Sequence, residues 1–240
     1  GKNIADLIQD GDTLQMGQGK IPNAILKCLM DKKDLGIHTE VFSDNLIPLI
    51  EAGIINGARK SINKRKIVST FIQGSKELYD YVNNNQMIDL RPVDYTNDIG
   101  IISSNDNMVA INSAIEIDLM GQVVSDAMGT KQFSGIGGQL DFIRGAGASK
   151  NGRPIIALPA TAKKGTISRI SAVLKAGTPI AVPRNDVHYI VTEYGAANVF
   201  AKTLSQRAKA LINIAAPQFR DDLEKDYKQF VKVHRINEIW

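Results

Sequence analysis

The stretch TLQMGQGKIPNAILKCLMDKKDLGIHTEVFS, residues 13–43, decides the fold class. Thr13–Gly17 is a short strand-forming run that ends on glycine. IPNAILKCLMDKKD follows with apolar residues at helical spacing, and its Pro22 falls in the first turn, where a missing N–H is tolerated. IHTEVFS then returns to a strand pattern. Strand, glycine loop, helix and strand in that order are the repeating unit of a parallel sheet.

The same alternation continues outward. KIVSTFIQG reads as a strand and SKELYDYVNNN as a helix, with Ser75 as cap and asparagines at its end. MVAINSAIEIDLMGQVVSDAMG alternates and turns around Gly121, which predicts two antiparallel strands. QLDFIRGAGAS is expected to be helical as far as Gly145; RPIIALPA and VHYIVTEYG are strands, and TLSQRAKALINIA and RDDLEKDYKQFVKVH are helices. The prediction is an α/β fold: an open, mostly parallel sheet flanked by helices, with an antiparallel insertion near residues 108–127. No linker-like stretch interrupts the chain, so residues 1–240 are expected to form a single domain.

Bulk properties narrow the class. At 43% hydrophobic and 22% charged, the 240 residues have the composition of a globular protein. No apolar run reaches the length that spans a bilayer, and no leader pattern opens the chain, so a soluble, cytoplasmic protein without membrane partners is expected. Cys28 is the single cysteine, which excludes an internal disulfide; it is read as a packed thiol in a helix. His38, His188 and His234 have no zinc-ligand spacing, so no metal is expected. The net charge of +4 does not call for nucleic acid but suits a polyanionic small ligand. The basic stretch ARKSINKRKI, residues 58–67, lacks interleaved aromatics and reads as a solvated loop. The chain opens without Met on an amphipathic helix, which suggests a piece of something longer.

Two glycine loops precede helices, MGQGKIPNAIL and SGIGGQLDFI. Backbone approaches a ligand closely only where side chains are absent, and a helix start adds free amides. Either loop alone is also ordinary turn chemistry. Glu40 adds weight, because an acid inside a strand built for burial is costly unless paired or useful. Gly17 and Gly19 followed by an acid about 20 residues on resemble a dinucleotide fingerprint, but Pro22 stands where the third glycine belongs. His38 and Glu40 fall on one strand face, within reach of a hydrogen bond. Glu116 and Asp118 alternate onto what reads as the exposed face of an antiparallel strand, and Glu193 as a carboxylate satisfied by backbone amides at a buried strand end. Lys163 and Lys164 precede a glycine, where a lysine either pairs with a phosphate or is merely solvated; Lys163 is the better candidate.

DGDTLQMGQGKIPNAIL, LGIHTEVFSD, LRPVDYTND, NDNMVAINSAIEIDLMGQV, SGIGGQLDFIRGA and VHYIVTEYG together resemble the acetyl-CoA hydrolase/transferase family, most of all its 4-hydroxybutyrate and butyrate–acetate CoA-transferases. The resemblance is collinear over nearly the whole chain and covers only the C-terminal half of such proteins. It implies that Glu40 attacks an acyl-CoA thioester, giving a mixed anhydride and then a glutamyl-CoA thioester that an incoming short-chain carboxylate discharges. A carboxylate needs no general base to be nucleophilic near neutral pH.

The resemblance further implies that Gly135, Gly137 and Gly138 face the thioester, with amides opening the helix at Gln139 as oxyanion donors, and that Asn97 lies beside the reacting group. Asn97 is otherwise a turn-forming residue. Gly17, Gln18, Gly19, Lys20 and Ile21 match a CoA-contacting segment, although Gln18 and Lys20 depart from its usual aliphatic and small residues, and Asn45 replaces a common glycine. By the same resemblance CoA is a substrate with no permanently bound cofactor, an N-terminal half is a partner, and the enzyme is a homo-oligomer. Two alternatives stay open: an acyl-CoA hydrolase that uses water as acceptor, and a CoA-binding half without activity of its own.

Overall fold

A computed structural model describes residues 1–17 and 19–234. Gln18 and Trp240, and the side chains of Lys20 and His234, therefore lie outside the described residues. The chain forms two compact units, Gly1–Asn112 with Gly137–Ile155, and Ser113–Ile136 with the residues from Ile156 onward.

In the first unit, α1 (Lys2–Ala5) leads to β1 (Thr13–Met16), the glycine loop, α2 (Lys20–Leu26) and β2 (Gly36–Phe42). The helix expected as far as Asp34 stops at Leu26: the amides of Cys28 and Leu29 bond only three residues back, to Ile25 and Leu26, so Cys28 is half-buried in a turn beyond the helix. There follow α3 (Ile47–Glu51), β3 (Ile67–Ile72), α4 (Lys76–Val82), β4 (Ile88–Leu90), α5 (Val93–Thr96), α6 (Ile99–Ser103) and β5 (Met108–Ser113). Every pairing among these strands is parallel, and they lie in the order β5, β1, β2, β3, β4. β1 and β5 are buried along nearly their whole lengths, as strands covered on both faces must be. This is the expected α/β architecture. Met108–Ile111 pair in parallel with β1, so the antiparallel insertion does not begin at residue 108.

The α4 cap forms as read, with the Ser75 hydroxyl accepting from the Leu78 amide. α7 (Gln139–Ala148) does not stop at Gly145. There the absent side chain serves packing: a Cβ on Gly145 would overlap Ile102 of α6.

The basic stretch is not wholly solvated either. Lys60 is 1% exposed. Its stem lies where a Cβ on Gly36 would go, and its Nζ donates to the carbonyls of Ile37 (2.8 Å) and Lys66 (2.9 Å). Burial pulls its pKa down to about 8, with Asp89 opposing.

The second unit holds the antiparallel part. β6 (Glu116–Asp118) and β7 (Val123–Val124) form a hairpin around Gly121, which adopts φ 95°, and β8 (Ala127–Met128) pairs with β9 (Lys131–Gln132). Asp118 is not on an exposed face. It is fully buried and accepts from the amides of Met120 and Gln122 and from the Gln122 side chain, and burial raises its pKa. It is a turn-closing acid (the side chain replaces backbone acceptors), which its alternation with Glu116 concealed.

β10 (Arg153–Ala157) begins in the first unit and ends in the second. Two short strands, β11 (Thr161–Ala162) and β12 (Ile167–Ser168), are antiparallel; β13 (Ile170–Ser171) lies parallel to β6, and β14 (Tyr189–Thr192) is antiparallel to β15 (Gly195–Asn198). α8 (Leu204–Asn213) starts on a capping box of Thr203 and Gln206, and α9 (Arg220–His234) follows. Glu193 accepts from the Ala160 amide at 2.8 Å, the backbone satisfaction expected of it, though its side chain lies at the surface. Among the described residues no helix is long and apolar enough to cross a membrane, and no group of acidic, His and Cys side chains is arranged to hold a metal.

Candidate functional site

Glu40 occupies the fifth position of β2, a strand bounded by β1 on one side and β3 on the other. Its carbonyl accepts the Ser69 hydroxyl of β3 at 3.0 Å, which adds a side-chain tie to the sheet. The carboxylate lies half-buried toward the carboxyl end of the strand, the end where open parallel sheets gather ligands.

Two donors reach one oxygen of that carboxylate. Asn97 Nδ2 donates to Glu40 Oε2 at 3.1 Å, and the peptide N–H of Gly138 donates to the same Oε2, also at 3.1 Å. Each comes from a helix boundary. Asn97 closes α5, and the next residue, Asp98, caps α6 by accepting from the Ile101 amide. Gly138 is the N-cap of α7. A Cβ at residue 138 would overlap both Asn97 Nδ2 and Glu40 Oε2, so the donor amide can approach only because glycine stands there.

A second acid completes the cluster. Asp141, in the first turn of α7, has its pKa raised, first by burial and further by the Glu40 charge, while a hydrogen bond from Asn97 and the charge of Arg144 oppose the shift. Sequence reasoning passed over Asp141, because an acid in a first helical turn is ordinary dipole chemistry.

Glu40, Asn97 and Gly138 are brought together as the sequence suggested. The amide that meets Glu40 is Gly138's own, one residue before the expected Gln139. Gly137 precedes it at φ 59°, a conformation that favours glycine. The first loop leaves β1 beside the same strand: Thr39 Oγ1 donates to the Met16 carbonyl at 3.2 Å, and Gly17 is the next residue. Gly19 is exposed and caps α2, and Ile21 is half-buried in its first turn. Asn45, just past β2, is tied to Asn23 of α2 through their side chains at 2.5 Å. Gly135 and Lys163 belong to the second unit and are not among the residues bonded to Glu40; both are exposed, and Lys163 adopts φ 45° in a tight turn. His38 does not bond Glu40. Its Nε2 lies 2.8 Å from the Thr96 carbonyl.

With this geometry in view, the sequence model of the acetyl-CoA hydrolase/transferase C-terminal domain matches residues 74–227. The chain belongs to that family. The matched segment of this acetyl-CoA hydrolase/transferase domain includes Asn97 and Gly138, and Glu40 precedes it. The 4-hydroxybutyrate coenzyme A transferase of Clostridium kluyveri is 54% identical over 229 residues, covering 95% of this chain and 53% of that protein. The butyryl-CoA:acetate CoA-transferase of Anaerostipes caccae is 46% identical, covering 94% and 52% respectively. The crystal structure of 4-hydroxybutyrate CoA-transferase from Porphyromonas gingivalis superposes with a TM-score of 0.85 at 50% identity, covering 95% of this chain and 54% of that one. The acetyl-CoA hydrolase/transferase domain described here therefore spans about half the length of the relatives it matches.

Proposed function

We propose that the protein carrying this chain is a CoA-transferase that moves CoA between an acyl-CoA and a short-chain carboxylate, with Glu40 as the covalent relay. The observation that carries the proposal is the convergence of Asn97 Nδ2 and the Gly138 amide on Glu40 Oε2. With Oε2 held, Oε1 attacks the thioester carbonyl; the C–S bond breaks, CoA leaves as thiolate, and a mixed acyl–glutamyl anhydride remains. The thiolate attacks the glutamyl carbonyl, the acyl group leaves as its carboxylate, and Glu40 becomes a glutamyl-CoA thioester. An incoming carboxylate reverses these steps and departs as the new acyl-CoA. No proton is gained or lost overall.

Charge develops on the glutamyl oxygen whenever that carbonyl turns tetrahedral. The donors that hold the resting carboxylate then hold the oxyanion, which is preorganised stabilisation worth several kcal/mol per donor. In this proposal Gly17, Gly19, Ile21, Gly135 and Lys163 contact CoA, and CoA enters only as substrate, with no resident cofactor. The remaining parts are the other half of relatives twice this length, an assembly of residues 1–240 as one catalytic half, a homo-oligomer, and a cytoplasmic setting where acyl-CoA is made and consumed.

The test is chemical trapping. Borohydride reduction of the full-length protein after incubation with acyl-CoA should convert Glu40 to the corresponding alcohol, detectable by peptide mass, and Glu40→Ala should lose exchange between acyl-CoA and acetate. Full exchange by that variant removes the relay. Release of CoA at the same rate with and without added acetate would point to water as the acceptor instead.

A further inference from the structure

We infer that His38 is a positioning residue for this reaction, holding the Asn97 amide on Glu40 through the Thr96 carbonyl; the inference rests on the proposed role of Glu40. His38 lies on β2 two residues before Glu40 and is fully buried. A carbonyl oxygen can only accept, so the 2.8 Å contact with Thr96 O places the proton on Nε2. Nδ1 is then an acceptor, and among the described residues it is buried without a partner.

That arrangement is hard to explain as packing alone. The ring sits among apolar neighbours, its centroid 6.5 Å from that of Tyr95 and 6.2 Å from that of Phe142. A plain hydrocarbon side chain would fill such a place without stranding a nitrogen. What the imidazole supplies beyond a hydrocarbon is the Nε2–H, and its target is the peptide that leads directly into Asn97. Asn97 sits between two short helices at φ −98°, ψ 1°, where neither helix continues through it. Its amide nitrogen bonds back to Val93 within α5. Of these bonds, the one from His38 Nε2 ties the Thr96–Asn97 peptide to the strand that carries Glu40. The contacts close a ring: His38 to Thr96, along the chain to Asn97, from Asn97 to Glu40, and along β2 back to His38.

The test uses His38→Leu, His38→Gln and His38→Asn in the full-length protein. Leucine fills the site without a donor, glutamine carries an amide nitrogen where Nε2 stood, and asparagine carries one nearer Nδ1. His38→Leu is expected to lower kcat about 10²-fold, as small misplacements of reacting groups do, with KM for acyl-CoA changed less than about threefold. Glutamine should recover most of the rate and asparagine little. Should the leucine variant fail to fold, the order of glutamine above asparagine still decides. In an Asn97→Ala background, His38→Gln and His38→Asn should become equal, because the role runs through Asn97. Equal rates for glutamine and asparagine in the presence of Asn97, or the same gap between them in its absence, overturn the role. Failure of the wild-type protein to form any Glu40 adduct removes the relay and this role together; a normal adduct level and rate in His38→Leu overturns this role alone.

Discussion

The peptide N–H of Gly138 meets the Glu40 carboxylate at 3.1 Å in a space that excludes any side chain on residue 138. The backbone of Gly138 is itself unremarkable, with φ −85° and ψ 12°, which other residues adopt. Gly138→Ala is therefore expected to leave the fold intact and to push Glu40 and Asn97 apart. On the relay proposed for Glu40, displacing the Gly138 amide should lower kcat toward the roughly 10²–10³ that loss of one oxyanion donor typically costs. Steady-state kinetics with circular dichroism as a fold control would check it, and an alanine variant of normal activity would dissociate Gly138 from catalysis.

Asp141 should cost stability where it is ionised. Its folded pKa is raised above the unfolded value, so its favourable contribution exists below pH 3.8 and disappears as pH rises through the folded value. Asp141→Asn is expected to raise Tm at pH 7 and to lose that advantage near pH 4. Calorimetry at the two pH values measures it. An equal effect at both would mean that the Asp141 charge is not what matters.

Lys60 gives a second pH signature, with the opposite direction. Burial depresses its folded pKa to about 8 against an ordinary 10.5, so its stabilising contribution is full above pH 10.5 and is lost as pH falls through about 8. The whole swing is on the order of 3 kcal/mol at 1.36 kcal/mol per pH unit. Wild type should gain stability relative to Lys60→Met between pH 8 and pH 10. Parallel pH–stability curves for the two proteins would refute a buried, titrating lysine.

Gly145 tests how α7 is seated. A side chain at this position meets Ile102 of α6, so Gly145→Ala should destabilise by about 1–3 kcal/mol through overpacking. Denaturant unfolding reads the change. An unchanged midpoint would show that the two helices have room to separate.

Where the sequence was informative, a short-range rule was at work. β1, β2 and the start of α2 follow from glycine punctuation and apolar spacing, and the Ser75 cap and the Thr203 helix start from local hydrogen-bonding chemistry, whereas the end of α2 at Leu26 does not show in the apolar spacing, which runs on past it. Glu40 stood out as an acid in an apolar strand, and its partners are the reason it is tolerated there. The helices that seat Asn97, Val93–Thr96 and Ile99–Ser103, escaped notice because neither is long enough to show a 3.6-residue period. Lys60 and Asp118 were misjudged for a different reason. Each is polar in composition, and what buries it, the bare backbone of Gly36 for one and the turn at Gly121 for the other, is contributed by tertiary packing or turn geometry.

The strand that bears Glu40 is hemmed in by β1 and β3, and its carbonyl is tied to Ser69. On the proposed chemistry the nucleophile is an anvil, not an arm: the strand that carries it is pinned on both sides while the acyl group changes hands. Donor and acceptor acids must then come in turn to one fixed point, and each must fit the slot its predecessor vacated. Attempts to change which acids are used should reshape the walls of that slot and leave the anvil alone.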